Sequence, residues 1–118
     1  MMKFVNLTPH TVVLCDNNVG NAVLATFPAD PEGPARLVDQ TEIAGHALVD
    51  GTPFAAVMRR RSFAGVVGLP DPQPGVMYIV SSFVLDAVPD RDDLCAPGGF
   101  IRDGQGRVVG CTFFVTNK

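Results

Sequence analysis

The sequence is poor in the residues from which most recognisable sites are built. It has two histidines and three cysteines, and charged residues make up 18% of its 118 positions. No apolar run approaches the length needed to cross a bilayer, and the amino terminus lacks the apolar core of a secretory signal. We therefore expect no membrane association and a cytoplasmic protein.

The cysteines and histidines do not form a recognisable ligand set. Cys15, Cys95 and Cys111 are odd in number and contain no CxxC pair, which fits neither a disulfide framework nor a zinc ribbon. We expect three small buried thiols in a reducing compartment, no metal and no cofactor. One alternative is a small enzyme in which Cys95 or Cys111 is activated by His10, because a nearby histidine favours the reactive thiolate.

Familiar catalytic and phosphate-binding motifs are also missing. There is no P-loop, and no G-x-S-x-G elbow surrounds Ser81 and Ser82. The segment GQGRVVG, residues 104–110, has the wrong spacing for a dinucleotide fingerprint and lies between two predicted strands. A formal net charge of −3 gives no general attraction for phosphate backbones. The sequence favours a binding protein over an enzyme, and we do not expect nucleic acid as a partner.

Turn-forming residues, in contrast, are abundant between short apolar runs. Twelve glycines and ten prolines argue against long helices, whereas a hydrophobic fraction of 47% is enough for a core. We predict a single α+β domain over residues 1–118. It should be predominantly antiparallel, a bent sheet or partial barrel with one short helix.

Local patterns place most of the predicted elements. Strands KFVNL and TVVLC meet at Thr8–His10, and the turn DNNVGN leads into AVLATF. Residues 35–51 are predicted as one or two short strands ending at an Asp-Gly turn, and residues 52–69 as two strands that bend near Arg61.

The second half of the chain is predicted in the same way. Strand VMYIVSS precedes a short helix that Ser81 or Ser82 caps and Pro89 ends. A GQG hairpin then leads to a carboxy-terminal strand that we expect at the centre of a sheet. The predicted core comprises Val5, Leu7, Val13, Leu24, Val57, Val67, Tyr78, Val80, Val84, Val109 and Phe113.

Two charged segments are the candidate surfaces. In a strand, Arg59 and Arg61 share one face. The other segment contains Arg91, Asp92 and Asp93, and its spacing does not match a calcium loop. We expect Arg91 to pair with an acidic neighbour, with a partner surface as the alternative.

Part of the chain resembles small uncharacterised proteins of bacteriophages, prophages and actinobacteria. The resemblance rests on NLTPH at residues 6–10 and on the series LPDP, YIVS, AVPDRDD and RDGQG between residues 69 and 106. It implies a phage-related setting, hence the host cytoplasm, and carries no catalytic residues with it.

Two binding hypotheses follow from these surfaces. The first is a non-enzymatic protein that engages a host or defence protein through the strand that contains Arg59 and Arg61 and through the segment Arg91–Asp93. The alternative is a domain for a nucleotide or another small anionic ligand, in which Arg59, Arg61 and Arg91 meet the anion and Tyr78 or Phe63 contacts a ring. An acidic, apolar-rich β domain of this kind is also expected to form a homodimer.

Overall fold

Ten strands and one short helix make up the described part of the chain. The computed structural model describes residues 1–18 and 20–118, with side chains for all of these except residues 39, 40, 63 and 64. In chain order the elements are β1 (Lys3–Asn6), β2 (Val12–Asp16), β3 (Ala22–Phe27), β4 (Arg36–Leu48), β5 (Ala55–Val67), β6 (Val76–Ile79), α1 (Ser82–Ala87), β7 (Leu94–Gly98), β8 (Ile101–Arg102), β9 (Val108–Gly110) and β10 (Phe113–Thr116).

The centre of the molecule is a four-stranded mixed sheet in the order β1-β6-β7-β10. Strands β1, β6 and β7 run parallel, and β10 runs antiparallel to β7. Three antiparallel hairpins, β2–β3, β4–β5 and β8–β9, surround this sheet, and none of the described sheets closes on itself. The predicted β-rich α+β class with one short helix is confirmed, while the central strand pairs are parallel.

Alternation along the strands gives the central sheet two buried faces. On one face, Tyr78, Val80 and Leu94 pack against Val84 and Leu85 of α1. The opposite face carries Ile79, Cys95 and Cys111 together with a cluster of three phenylalanine rings whose centroids lie 5.4–6.0 Å apart, Phe4, Phe27 and Phe114. The YIVS stretch is therefore apolar at consecutive positions because both of its faces are covered.

The NLTPH segment is organised by the buried side chain of Asn6, which is 2% exposed. Its amide donates to the carbonyl oxygens of His10 and Phe27, both at 2.8 Å. Its Oδ1 accepts from the backbone N–H of Thr8 at 2.9 Å and from the Thr8 hydroxyl at 2.7 Å. One side chain thus ties the end of β1 to the following turn and to the end of β3.

Strands β4 and β5, with residues 49–54 between them, form a long hairpin that we call the arm. Each strand has 13 residues, so the predicted division into shorter strands with a bend near Arg61 is wrong. The pairing shifts register at two places, between Leu37 and Asp39 and between Ile43 and Gly45. Each shift adds an extra residue to one of the two strands, which explains why their apolar residues do not alternate regularly in the sequence. The predicted Asp-Gly turn is confirmed, with Gly51 at a φ of 78°.

The arm leaves the body of the protein between Pro34 and Gly68. Gly68 has a φ of 78°, and a β-carbon there would lie 2.8 Å from the carbonyl oxygen of Pro34. The Ala35 N–H donates to the Leu7 carbonyl at 2.9 Å, which joins the first arm strand to the end of β1. The base of the arm is therefore anchored in the core, whereas its outer part is exposed.

Several expected core positions are exposed, and the edge positions of their strands explain why. Leu24, Val57, Val67, Val109 and Phe113 are between 44% and 61% exposed. Strand β10 pairs with β7 and lies at the end of the sheet order, so its predicted central position is wrong. The core assignments of Leu7, Tyr78, Val80 and Val84 are confirmed.

Most of the local predictions are confirmed. The Ser81 hydroxyl accepts from the Val84 N–H at 3.3 Å and caps α1, which ends at Ala87 before Pro89. Hairpins join β2 to β3 and β8 to β9, as the DNNVGN and GQG turns predict, although Val19 of the first turn lies outside the described residues.

Replacing Asn6 by alanine should destabilise the protein by about 3 kcal/mol, because it leaves buried backbone groups without partners. Equilibrium urea unfolding of wild type and Asn6→Ala measures this difference. Asn18→Ala, at an exposed position in a turn, serves as the control and should change stability by less than about 0.5 kcal/mol. Equal effects of the two substitutions would contradict the role assigned to the Asn6 amide.

Candidate functional site

The carboxyl ends of the three parallel strands meet at one edge of the central sheet. The chain leaves β1 through Leu7–His10, β6 through Val80–Phe83, and β7 through Gly99–Phe100. In open sheets with parallel strands, ligands bind in the crevice outside these ends. Two adjoining hollows lie here and share the residues Thr8, Pro9, Ser81 and Phe83.

The larger hollow, which we call the apolar compartment, has a volume of about 480 Å³. Its walls come from the β1–β2 connection, the start of α1, the end of β7 and the strand β9. Apolar side chains predominate, among them Val12, Phe83, Pro97, Phe100, Val108 and Val109. The polar residues Thr8, His10, Thr11 and Ser82 also contribute to the lining.

The smaller hollow, which we call the arginine compartment, has a volume of about 380 Å³. It lies where the arm joins the body, and Arg36 of β4 and Arg61 of β5 contribute to its lining. Pro34, Ala35 and Leu37 complete the wall on the arm side. The cleft as a whole therefore has a cationic end and an apolar end, with Phe83 at the boundary.

Two phenylalanines expose large apolar surface at this cleft. Phe83 is 68% exposed and Phe100 is 53% exposed, although both belong to segments that are otherwise well packed. In α1, Val84 and Leu85 point into the core, so the preceding residue Phe83 is directed outward. Exposed aromatic side chains beside a concave surface commonly mark a binding site.

The Gly98–Gly99 pair positions Phe100 at the end of β7. Thr112 donates its N–H and its hydroxyl to the Gly99 carbonyl, at 3.1 and 3.0 Å. A β-carbon on either glycine would collide with the ring of Phe113, so the ring covers the glycine backbone directly. This packing explains why both positions are glycine, and it sets the point at which the chain enters the cleft wall.

The predicted Arg91 segment lies elsewhere and forms internal contacts. Arg91 donates to both carboxylate oxygens of Asp93 at 2.8 Å and to the Pro70 carbonyl at 2.9 Å. The hydrogen bond from Arg91 lowers the pKa of Asp93, against the opposing effect of burial, and the bond to Asp93 raises the pKa of Arg91. The pair fastens the proline-rich loop to the turn before β7.

The other residues of that predicted surface have separate environments. Tyr78 is 3% exposed and its hydroxyl donates to the Asp71 carbonyl at 3.4 Å, so its ring belongs to the core. Asp92 forms an exposed ion pair with Lys118 at 3.1 Å. Partner contacts at Arg91, Asp92 and Asp93 stay a prediction, and substituting Arg91 or Asp93 would also remove a structural contact.

The arginines of the arm are divided between the cleft and the exposed hairpin. Arg61 lines the arginine compartment. Arg59 donates to the hydroxyl and the carbonyl of Thr41, at 2.8 and 3.1 Å, and Arg60 pairs with Glu42 at 3.2 Å. Phe63, the alternative ring contact, lies outside the described side chains.

The three cysteines are free and buried. Burial, with a smaller effect of Cys111, raises the pKa of Cys95 to about 12, and burial also raises the pKa of Cys111. The raised pKa values of Cys95 and Cys111 disfavour a reactive thiolate at these two positions, which does not favour the Cys and His enzyme. Among the described residues, no group of three potential ligands could hold a metal ion.

Sequence reasoning missed Arg36, Phe83 and Phe100 as site residues and interpreted His10 as part of a bend or an enzyme. The signal that could have found them is the position of NLTPH directly after an apolar strand. That position indicates a site only once β1 and β6 are known to be parallel neighbours. The pairing of these two strands brings Thr8–His10 beside Ser81–Phe83.

No family model, curated protein or solved structure matches this chain at a significant level. The resemblance to phage and actinobacterial proteins therefore stays a prediction. Within the described residues, no helix is both long enough and apolar enough to cross a membrane.

Asp93→Asn should destabilise the protein at neutral pH by about 1–3 kcal/mol, because it removes a charged, largely buried hydrogen-bond acceptor. The folded-state pKa of Asp93 is lowered, so its contribution is present above the unfolded pKa and is lost as pH falls through the folded pKa. Urea unfolding at pH 7 and below pH about 4 should show the difference shrinking in acid.

Asp92→Asn is the matched control, since its ion pair is exposed and should contribute less than about 1 kcal/mol. A difference between Asp93→Asn and wild type that does not change with pH would contradict the charged interaction.

Native protein should resist alkylation by iodoacetamide at mildly alkaline pH, because the three thiols are at most 6% exposed and the pKa values of Cys95 and Cys111 are raised. Mass spectrometry should find three modified cysteines after unfolding in urea and almost none before. Rapid, selective labelling of native Cys95 or Cys111 would instead support the enzyme alternative.

Proposed function

We propose that the protein is a small-ligand-binding domain whose cleft takes a molecule that joins an anionic group to an aromatic or apolar body, as a nucleotide does. One observation carries the proposal. A single cleft at the carboxyl ends of three parallel strands has arginines at one end and exposed phenylalanines and valines at the other.

The size of the cleft supports this class of ligand. Small-molecule sites usually occupy about 300–1,000 Å³, and the two compartments measure about 480 and 380 Å³. A ligand that spans both compartments would pass Phe83 at their boundary. It would therefore meet cationic and apolar groups at opposite ends.

The chemistry of the two ends is complementary to such a molecule. Arg36 and Arg61 contribute to the lining of the cationic end, and guanidinium groups bind phosphate and carboxylate groups through paired hydrogen bonds. Phe83 and Phe100 offer aromatic surface for a ring, and burial of a ring against them is favourable. His10 in the lining can orient polar atoms of the ligand.

Binding without a covalent step is the simplest activity of this cleft. Cys111 contributes to the wall of the apolar compartment, but burial raises the pKa of its thiol. Its contribution is therefore to the shape of the wall. The engagement of a host or defence protein and a location in the host cytoplasm stay predictions from the sequence.

The proposal predicts that nucleotides stabilise the folded protein, because a ligand that binds the folded state alone shifts the unfolding equilibrium. Thermal melts with adenosine and guanosine mono- and triphosphates, well above Kd, should raise Tm by about 5 °C or more for at least one nucleotide. Inorganic phosphate has the anionic group alone and adenosine has the ring alone, so each should raise Tm by less than the nucleotide does.

Arg61→Ala should remove most of this stabilisation, whereas Arg60→Ala should keep it. The two arginines are adjacent, but Arg61 lines the cleft and Arg60 pairs with Glu42 on the arm. Tm values that do not respond to any nucleotide, or equal losses in the two variants, would rule the proposal out.

A further inference from the structure

The arm makes the molecule far more extended than its chain length requires. The principal extents are 59 × 39 × 27 Å and the radius of gyration is 18.6 Å, whereas a compact chain of 118 residues has a radius of about 13.5 Å. From residue pair Thr41–Arg61 to pair Leu48–Ala55, the outer arm extends about 20 Å.

This shape leaves an excess of accessible surface. The single chain exposes 8051 Å², whereas a compact monomer of 12.5 kDa exposes about 6,200 Å². The excess of about 1,900 Å² is more than the roughly 800 Å² that each partner buries in a stable complex. The arm therefore carries enough surface for a specific interface.

The strand register separates the two faces of the outer arm. Directly paired residues share a face, and faces alternate along each strand. One face, which we call the Ile43 face, carries Thr41, Ile43, His46, Leu48, Val57, Arg59 and Arg61. The opposite face, which we call the Met58 face, carries Glu42, Gly45, Ala47, Ala56, Met58 and Arg60.

Large apolar side chains concentrate on the Ile43 face. Ile43, Leu48 and Val57 are 57%, 83% and 54% exposed, and Phe54 at the tip is 70% exposed. The Met58 face has one large apolar residue, small residues, and the solvated pair of Arg60 with Glu42. A two-stranded hairpin is marginally stable in water, so covering the Ile43 face would stabilise the arm itself.

Charge points to the body of a second copy as the covering surface. Residues 36–67 carry four arginines and three acidic residues, a formal charge of +1, whereas the rest of the chain has five basic and nine acidic residues, a charge of −4. The body also exposes apolar side chains outside the arm, including Val23, Leu24 and Val115. Every copy thus presents both a basic apolar arm and an acidic body with apolar patches.

We propose that the protein is a two-fold homodimer in which the Ile43 face of each arm packs against the body of the other copy. In a two-fold arrangement both arms are covered at once, and no uncovered arm is left to recruit a third copy. It brings Arg59 of each arm near acidic surface and removes Ile43, Leu48 and Val57 from water. The dimer and the ligand site share Arg61, whereas Leu48 and Val57 of the Ile43 face do not line the cleft and can be changed separately.

The experiment is size-exclusion chromatography with light scattering over a range of protein concentrations. Wild type should have twice the chain mass of 12.5 kDa. Val57→Asp should weaken the dimer at least about 100-fold, because the interface would bury an unpaired carboxylate, and Leu48→Glu should act in the same way. Circular dichroism should show both variants folded, since these positions are exposed in the single chain.

Met58→Asp is the matched control. Met58 is next to Val57 and has nearly the same exposure, 51% against 54%, but lies on the opposite face, so this variant should stay dimeric. A monomeric wild type would overturn the proposal, whether or not a different protein later proved to cover the arm. Equal dissociation of Val57→Asp and Met58→Asp would overturn the assignment of the face.

Discussion

The side-chain amide of Asn6 is the constraint on which the geometry of this protein depends. It is buried beside the end of β1 and hydrogen bonds to the turn at Thr8–His10 and to the end of β3. A buried amide costs free energy unless its partners are in place, so the turn has one favoured path. That path sets one wall of the cleft and leads the chain into β2, whose Cys15 N–H donates to the Cys111 carbonyl.

The cleft follows from this path because three strand ends meet where the turn is held. Thr8–Pro9 comes from the end of β1, Ser81–Phe83 from the end of β6, and Phe100 from the end of β7. None of these segments adjoins another in the sequence. The arm adds the cationic end through Arg36 and Arg61, which are 25 positions apart and join the body at its base. The lining of the cleft is thus assembled by strand pairing.

The arm is packed against the core at its base and exposed to solvent in its outer half. Its base is anchored by Ala35, which lies in the core, and by Val66, which packs against the same cluster. Its outer half keeps large apolar side chains exposed, among them Ile43, Leu48 and Val57. A surface of this kind is stable in solution when another surface covers it, and the acidic body of a second copy has the complementary charge.

Local chemistry in the sequence determined the β-rich class, the β2–β3 hairpin, the turn at residues 103–106, the Ser81 cap and the pairing of Arg91 with an acidic neighbour. These features depend on residues close together in the chain, such as Asp93 two positions after Arg91. The tertiary structure alone decided that β1, β6 and β7 are parallel, that Phe113 and Val57 are exposed, and that Arg36, Phe83 and Phe100 share a cleft. The spacing of apolar residues indicates which segments form strands. Which two strands pair with each other depends on contacts between segments that are distant in the sequence.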